Sequence, residues 1–305
     1  MFRILVIRLG SLGDVVHALP AVASLKHSFP RSHLSWIIKP QWAPLLEENP
    51  YVDEIIPFDR SAVGLTEAWR KLRQGKFQLA VDLQGLIQSA LIAAAARPDK
   101  IVGLDRSQAR ESLAAVVYST TVRTTAAHRV DQYLEIAAGA GATNTITTFP
   151  LPHGKPEGEL PNGPFVLASP LAGWKAKQWP FDYWEELAAG LKLPLVLNGP
   201  PSAEKTLAQV EGAHVHISGI AGLIDATRRA AAVVGVDSGP THLAAALSKP
   251  GVAIYGPTDP ASHGPYGGSM KVLRSPEALT SYKRRDEEDA SMRAIQPGEV
   301  LDALS

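Results

Sequence analysis

Residues 3–22 read RILVIRLGSLGDVVHALPAV. An apolar-rich run, Arg3 to Leu9, passes into a turn punctuated by Gly10 and Gly13, and helical spacing follows from Asp14. A continuous apolar run feeding a turn and then a helix predicts a strand–turn–helix unit whose strand is covered on both faces. Two glycines three apart allow a tight turn and close approach to the backbone, and helix-opening N–H groups favour negative charge. A dinucleotide site would carry G-x-G-x-x-G and an acid about 20 residues later. This turn has only the G-x-x-G part, with a carboxylate in place of a phosphate. Asp14 either charges the first helical turn or projects from it as a base.

The same style continues outward. Strand-like "HLSWIIK", "VDEIIPF", "FQLAVDL" and "KIVGL" are separated by helical patterns at 14–29, near 42–48, at 64–74 and at 86–96. After residue 164 it resumes with "PFVLASP", "LPLVLNG", "AHVHISG", "AVVGVD" and "GVAIYG", separated by helices at 182–191, 202–210, 223–231 and 241–247. Apolar runs alternating with helices predict parallel sheets with helices on both faces. Between the two series lies "PLPHGKPEGELPNGP", 150–164, dense in Pro and Gly and without periodicity, the composition of an exposed linker. The expected fold is therefore α/β with two doubly wound, Rossmann-like domains, 1–155 and 156–305. A charged tail from about 281 ends in a closing helix that is free to pack back on the first domain. In open α/β sheets ligands bind beyond the carboxyl ends of the strands, so two such domains are expected to face a central cleft.

Composition narrows the function classes. The 305 residues are 45% hydrophobic and 20% charged, with 30 basic side chains against 30 acidic, so no overall field favours nucleic acid or an anionic membrane. Residues 1–150 hold 16 basic and 13 acidic side chains and the rest 14 and 17, a mild asymmetry. The absence of cysteine excludes disulfides, thiolate zinc sites and thiol catalysis. The first residues read as a strand, not a secretory leader, and no apolar run approaches the ~20 residues of a spanning helix. A cytoplasmic protein without a resident metal or cofactor is expected.

Three further turns hold unusual residues. Lys177, in "WKAKQWPFDYW", precedes a Trp-Pro that opens a helix, where it is either a solvated side chain or a clamp for a diphosphate. Trp179 and Trp184 read as packing residues. In "LNGPPSAEK", Ser202 reads as an N-cap, and Glu204 either strengthens the helix start or reaches a ribose hydroxyl. In "VVGVDSGPTHLAAALSKPGVAIYGPTDP" a buried strand ends at Asp237 and a small-residue helix opens at Thr241-His242. Asp237, Thr241 and His242 have the chemistry to bond sugar hydroxyls while the helix N-terminus holds phosphate oxygens, and His242 reads equally as an orienting core histidine. Asp and His at this spacing lack a third metal ligand.

The stretches "ILVIRLGSLGDVVHALPA", "DLQGLIQSA", "AKQWP" and "GVDSGPTHLAAAL…IYGPTDP" resemble glycosyltransferase family 9, the bacterial heptosyltransferases of the lipopolysaccharide inner core. "SWIIKPQWAPLL" and "DLQGLIQSALIA…GLDRSQARESLAAVVYS" are most similar to its heptosyltransferase I branch, which moves heptose from ADP-heptose to a Kdo sugar of lipid A. The resemblance implies a GT-B fold, acceptor on the first domain and nucleotide sugar on the second. It implies that Asp14 is the general base and that Lys177 contacts the diphosphate. Asp237, Ser238, Gly239 and Pro240, with Thr241 and His242, would meet heptose and diphosphate, and Glu204 the ribose. Gly10, Ser11 and Gly13 would receive the acceptor; Arg60, Arg106, Arg110 and Arg129, by their charge and their place in that half, either face its anionic groups or are solvated surface. One positioned carboxylate opposite a departing ADP fits inverting single displacement without a metal. The implied partners are a nucleotide sugar and the anionic glycolipid Kdo-lipid A, with peripheral contact to the inner membrane. Three alternatives remain: a family 9 transferase with a different acceptor or a later heptose, a nucleotide-sugar epimerase, and a non-catalytic sugar-nucleotide-binding protein.

Overall fold

The opening apolar run forms strand β1, Arg3–Ile7, whose Ile4, Leu5, Val6 and Ile7 have no exposed surface. The computed structural model describes all 305 residues and divides the chain into two compact units, Met1–Pro152 and His153–Ser305. In the first, β1 is followed by β2 (His33–Ile38), β3 (Glu54–Pro57), β4 (Leu79–Asp82), β5 (Lys100–Leu104) and β6 (Thr120–Val122). Its helices are α1 (Leu12–Ser28), α2 (Ala62–Gln74), α3 (Ile87–Ala95) and α4 (Arg129–Gly139). The strands are parallel in the order β3-β2-β1-β4-β5-β6, with Ile7 of β1 level with Asp82 of β4. Helix α1 is buried along most of its length, from Val15 and Val16 to Leu25, which explains why so little of its sequence is polar.

The second unit repeats this plan with β7 (Val166–Ser169), β8 (Leu195–Gly199), β9 (His214–Ile217), β10 (Ala232–Val236), β11 (Gly251–Tyr255) and β12 (Met270–Arg274). Its helices are α5 (Phe181–Gly190), α6 (Glu204–Leu207), α7 (Ile220–Arg229), α8 (Gly239–Ala246), α9 (Pro260–His263), α10 (Ala290–Arg293) and α11 (Pro297–Leu304). The order β12-β11-β10-β7-β8-β9, again all parallel, is the order of the first sheet read from its other edge. In each sheet the chain winds one way from its first strand and then the other way. The reversal points lie between β1 and β4 and between β7 and β10, where ligand sites form in doubly wound folds.

Several local expectations are corrected. The closing helix α11 packs within its own unit: Val300 enters the core beside Trp179 and Trp184, and Leu301 lies against Gly190 of α5. Burial of that apolar side accounts for its sequence. The helix expected over 202–210 shrinks to α6, because Pro200-Pro201 fixes a tight turn over Pro201–Ala203. Ser202 therefore lies inside that turn and caps nothing. The stretch near 42–48 is a 3₁₀ turn, Pro40–Leu46, with prolines at 40 and 44. The segment expected as a linker is tied to the second unit. Lys155 N–H donates to Ala221 O at 3.1 Å, His216 Nε2–H to Glu157 O at 2.6 Å, and Gly219 N–H to the Glu157 carboxylate at 2.6 Å.

Candidate active site

The turn after β1 places Asp14 in the first turn of α1, where its carboxylate complements the helix dipole. Ser11 donates to Asp14 Oδ2 from its backbone N–H (3.1 Å) and from its hydroxyl (2.9 Å), and the Arg8 guanidinium meets the same oxygen at 2.6 Å. All of these contacts fall on Oδ2, so Oδ1 stays available on a side chain that is 30% exposed. Burial alone would push the Asp14 carboxyl up. The charge of Arg8 and the Ser11 donors outweigh it and hold the group below its ordinary value, ionised at neutral pH.

Arg8 is itself buried, and its position is fixed from the neighbouring strand. Its Nη1 donates to Leu83 O at 2.9 Å, and Leu9 N–H donates to Gln84 Oε1 at 2.8 Å. The loop after β4 is thus bonded to the loop after β1 across the reversal point. That loop is in turn built on Asp82, which accepts from Gln84 N–H, Gly85 N–H, the Ser89 hydroxyl and the Tyr118 hydroxyl at 2.7–3.2 Å. Burial pushes the Asp82 carboxyl above its ordinary value in spite of these donors.

Gly10 and Ser11 form the turn itself. Gly10 adopts φ +147°, and a Cβ there would stand 2.5 Å from Trp42 Nε1, so the glycine is required by the indole packed on it. Gly13 is buried in the first turn of α1. Among the predicted acceptor-side arginines, Arg129 opens α4 with its guanidinium over the Tyr133 ring at 5.8 Å, and Arg8 lies over the same ring at 5.7 Å. Arg129 is therefore brought to the Asp14 cluster. Arg60 reaches Gln88 of α3 at 3.5 Å, and Arg106 and Arg110 are exposed in the loop after β5, where the Arg110 backbone lies against Gly85 of the loop built on Asp82. Arg8 and Tyr133 escape sequence reasoning. A charged side chain interrupting a buried strand end, and the spacing of Val130, Tyr133, Ile136 and Ala137, are the signals that point to them.

In the second unit Asp237 directly follows β10, and Lys177 lies on the loop after the adjacent β7. Lys177 Nζ meets Asp237 Oδ2 at 2.6 Å, and His242 Nε2 stands 3.5 Å from Oδ1. Burial would raise the Asp237 carboxyl. The His242 contact and the Lys177 charge instead hold it well below the usual carboxylate range. Ser238 occupies the N-cap of α8 without a cap bond from its side chain, and its hydroxyl is buried with no hydrogen-bond partner. Gly239 and Pro240 begin the helix, and Thr241 Oγ1 donates to Val236 O at 2.6 Å, which fastens α8 to the strand end. Lys177 also lies over the Trp174 ring at 4.5 Å. Glu204 is exposed at the start of α6, after β8, and is not joined to this cluster. The arrangement offers an ammonium and an uncapped helix N-terminus for an anion, and an ionised carboxylate for hydroxyl groups.

The family model for glycosyltransferase family 9 (heptosyltransferase) matches residues 65–292. The chain belongs to this family. It is 31% identical to lipopolysaccharide heptosyltransferase 1 of Pseudomonas aeruginosa over 90% of its own length and 84% of that protein's. With lipopolysaccharide heptosyltransferase 1 of Escherichia coli K12 it shares 27%, over 90% and 94%. Among solved structures, E. coli heptosyltransferase WaaC with ADP superposes with a TM-score of 0.76 at 26% identity, covering 92% of this chain and 96% of that one. The expected fold class, family and glycosyltransferase activity are those found.

Proposed function

We propose that this chain transfers heptose from ADP-heptose to a Kdo sugar of lipid A with inversion at the anomeric carbon. The observation that carries the reading is Asp14, an ionised carboxylate with one oxygen held by Arg8 and Ser11 and the other available. The acceptor hydroxyl attacks the anomeric carbon and passes its proton to Asp14 Oδ1. The bond from that carbon to the diphosphate breaks, and ADP departs with the electron pair. Because the carbon has oxocarbenium character, the hydroxyl acidifies as it bonds, and a carboxylate of lowered basicity suffices. Lys177 and the N-terminus of α8 stabilise the charge growing on ADP, so no metal is required of this mechanism. Asp237 accepts from heptose hydroxyls, with Ser238, Gly239, Pro240, Thr241 and His242 around it. Glu204 takes the ribose. Gly10, Ser11 and Gly13 border the acceptor, and Arg60, Arg106, Arg110 and Arg129 meet its anionic groups. Relatives named lipopolysaccharide heptosyltransferase 1, and a WaaC structure bound to ADP-2-deoxy-2-fluoro heptose, support the donor and product class. No helix is long and apolar enough to cross a membrane. A lipid-linked acceptor is consistent with a reaction at the cytoplasmic face of the inner membrane.

Incubation with ADP-heptose and Kdo-lipid A tests the reading. ADP release that requires acceptor, with a product of opposite anomeric configuration by NMR, is expected. Sugar rearrangement without acceptor would mean epimerisation. Asp14→Ala should lose transfer by ~10² or more while still binding ADP; unimpaired turnover would remove Asp14 from the role.

A further inference from the structure

We infer that the outer face of α3, with the exposed flank of α2 and the 112–116 turn, seats this chain on an anionic phospholipid bilayer. Helix α3, IQSALIAAA, carries no charge. Ser89, Ala90, Ile92 and Ala93 face the core, which leaves Ile87 and Leu91 on the outer side, with Leu91 60% exposed. Leu65 and Trp69 of α2 and Leu113 and Val116 of the turn are also exposed, Trp69 by 56% and Val116 by 73%. The three elements are bonded side by side. Arg73 Nη1 reaches Ala95 O at 3.5 Å, Arg60 reaches Gln88 at 3.5 Å, and Ile87 N–H donates to the Glu111 carboxylate at 2.6 Å. The exposed apolar side chains thus sit on three elements joined side by side, and apolar surface gathered in this way marks an interaction site.

Its rim selects the occupant. Residues 60–97 and 106–116 together hold eight basic side chains and three acidic ones; of the three, Asp82 is buried and Glu111 is bonded to Ile87 N–H. Arg70 and Arg97 are exposed, and the Arg73 guanidinium lies 5.9 Å from the Trp69 ring centre. Tryptophan and aliphatic side chains bordered by arginine suit the boundary between acyl chains and anionic headgroups. A second copy docked by a two-fold axis would set arginine rim against arginine rim, which like-charge repulsion opposes.

The inference rests on the lipid-linked acceptor proposed above. Flotation of the full chain with vesicles of phosphatidylcholine, alone or with phosphatidylglycerol, tests it, using wild type, Leu91→Glu and Val116→Glu. Both sites are exposed, and thermal melts check the fold. Wild type should float with the phosphatidylglycerol vesicles and release them as salt rises, and each variant should bind about tenfold more weakly. Transfer to a water-soluble, deacylated Kdo acceptor should be unchanged in both variants. Variants that bind as wild type does, wild type that does not bind, or a dimer dissociated by Leu91→Glu in light scattering would each overturn the inference. If soluble-acceptor transfer is absent while the variants still lose vesicle binding, the proposed function falls and the surface stands.

Discussion

Arg8 sets both the orientation and the basicity of Asp14, so its removal should be visible in a pH profile. An ionised base with a depressed pKa is competent down to pH values below the ordinary carboxylate range, about 4. Arg8→Met should raise the Asp14 pKa and move the acidic limb of kcat/KM upward in pH; a limb left in place would separate Arg8 from the base. On the second unit, Lys177→Ala would leave Asp237 buried without its cation. A loss of about 3 kcal/mol at neutral pH is expected in urea unfolding, together with weaker ADP binding by calorimetry. Because the folded Asp237 pKa is depressed, this stabilisation is complete above the unfolded value near 4 and declines as pH falls through it. The difference between wild type and Lys177→Ala should therefore narrow in acid.

At the scale of the element, what the sequence discloses depends on whether the signal is local. Strands β4 and β7 are buried throughout and β1 and β10 at every residue but the first, all four read as apolar runs, and β1, β7 and β10 lead to turns that the sequence already marks as unusual. The edge strands β6 and β12 carry Thr120 and Thr121 or Lys271 and Arg274 and offer no such run. Asp14, Lys177 and Asp237 were legible from their positions after strands. Their partners were not, because Lys177 and Asp237 are 60 residues apart and meet only through the adjacency of β7 and β10. The closeness of strand and helix there is itself testable. A methyl at Gly235 would collide with Thr241 Oγ1, the group that fastens α8 to Val236. Gly235→Ala should lower stability by about 1–3 kcal/mol and weaken ADP binding more than a distant substitution of equal thermal cost.

Across the whole molecule, each unit has its own six-stranded sheet and its own buried clusters. Lys177, Asp237 and His242 all belong to residues 153–305, and Arg8, Asp14, Arg129 and Tyr133 all belong to residues 1–152. Residues 153–305 produced alone should give a cooperative melt that ADP shifts upward, whereas 1–152 should melt without response to ADP. The two sheets share one winding order, yet at the reversal point one presents a carboxylate with an open oxygen and the other a lysine already paired with an aspartate. One winding order thus carries two different chemistries. Under the proposed function, a substitution that changes the acceptor and one that changes the donor fall on different sheets of the chain.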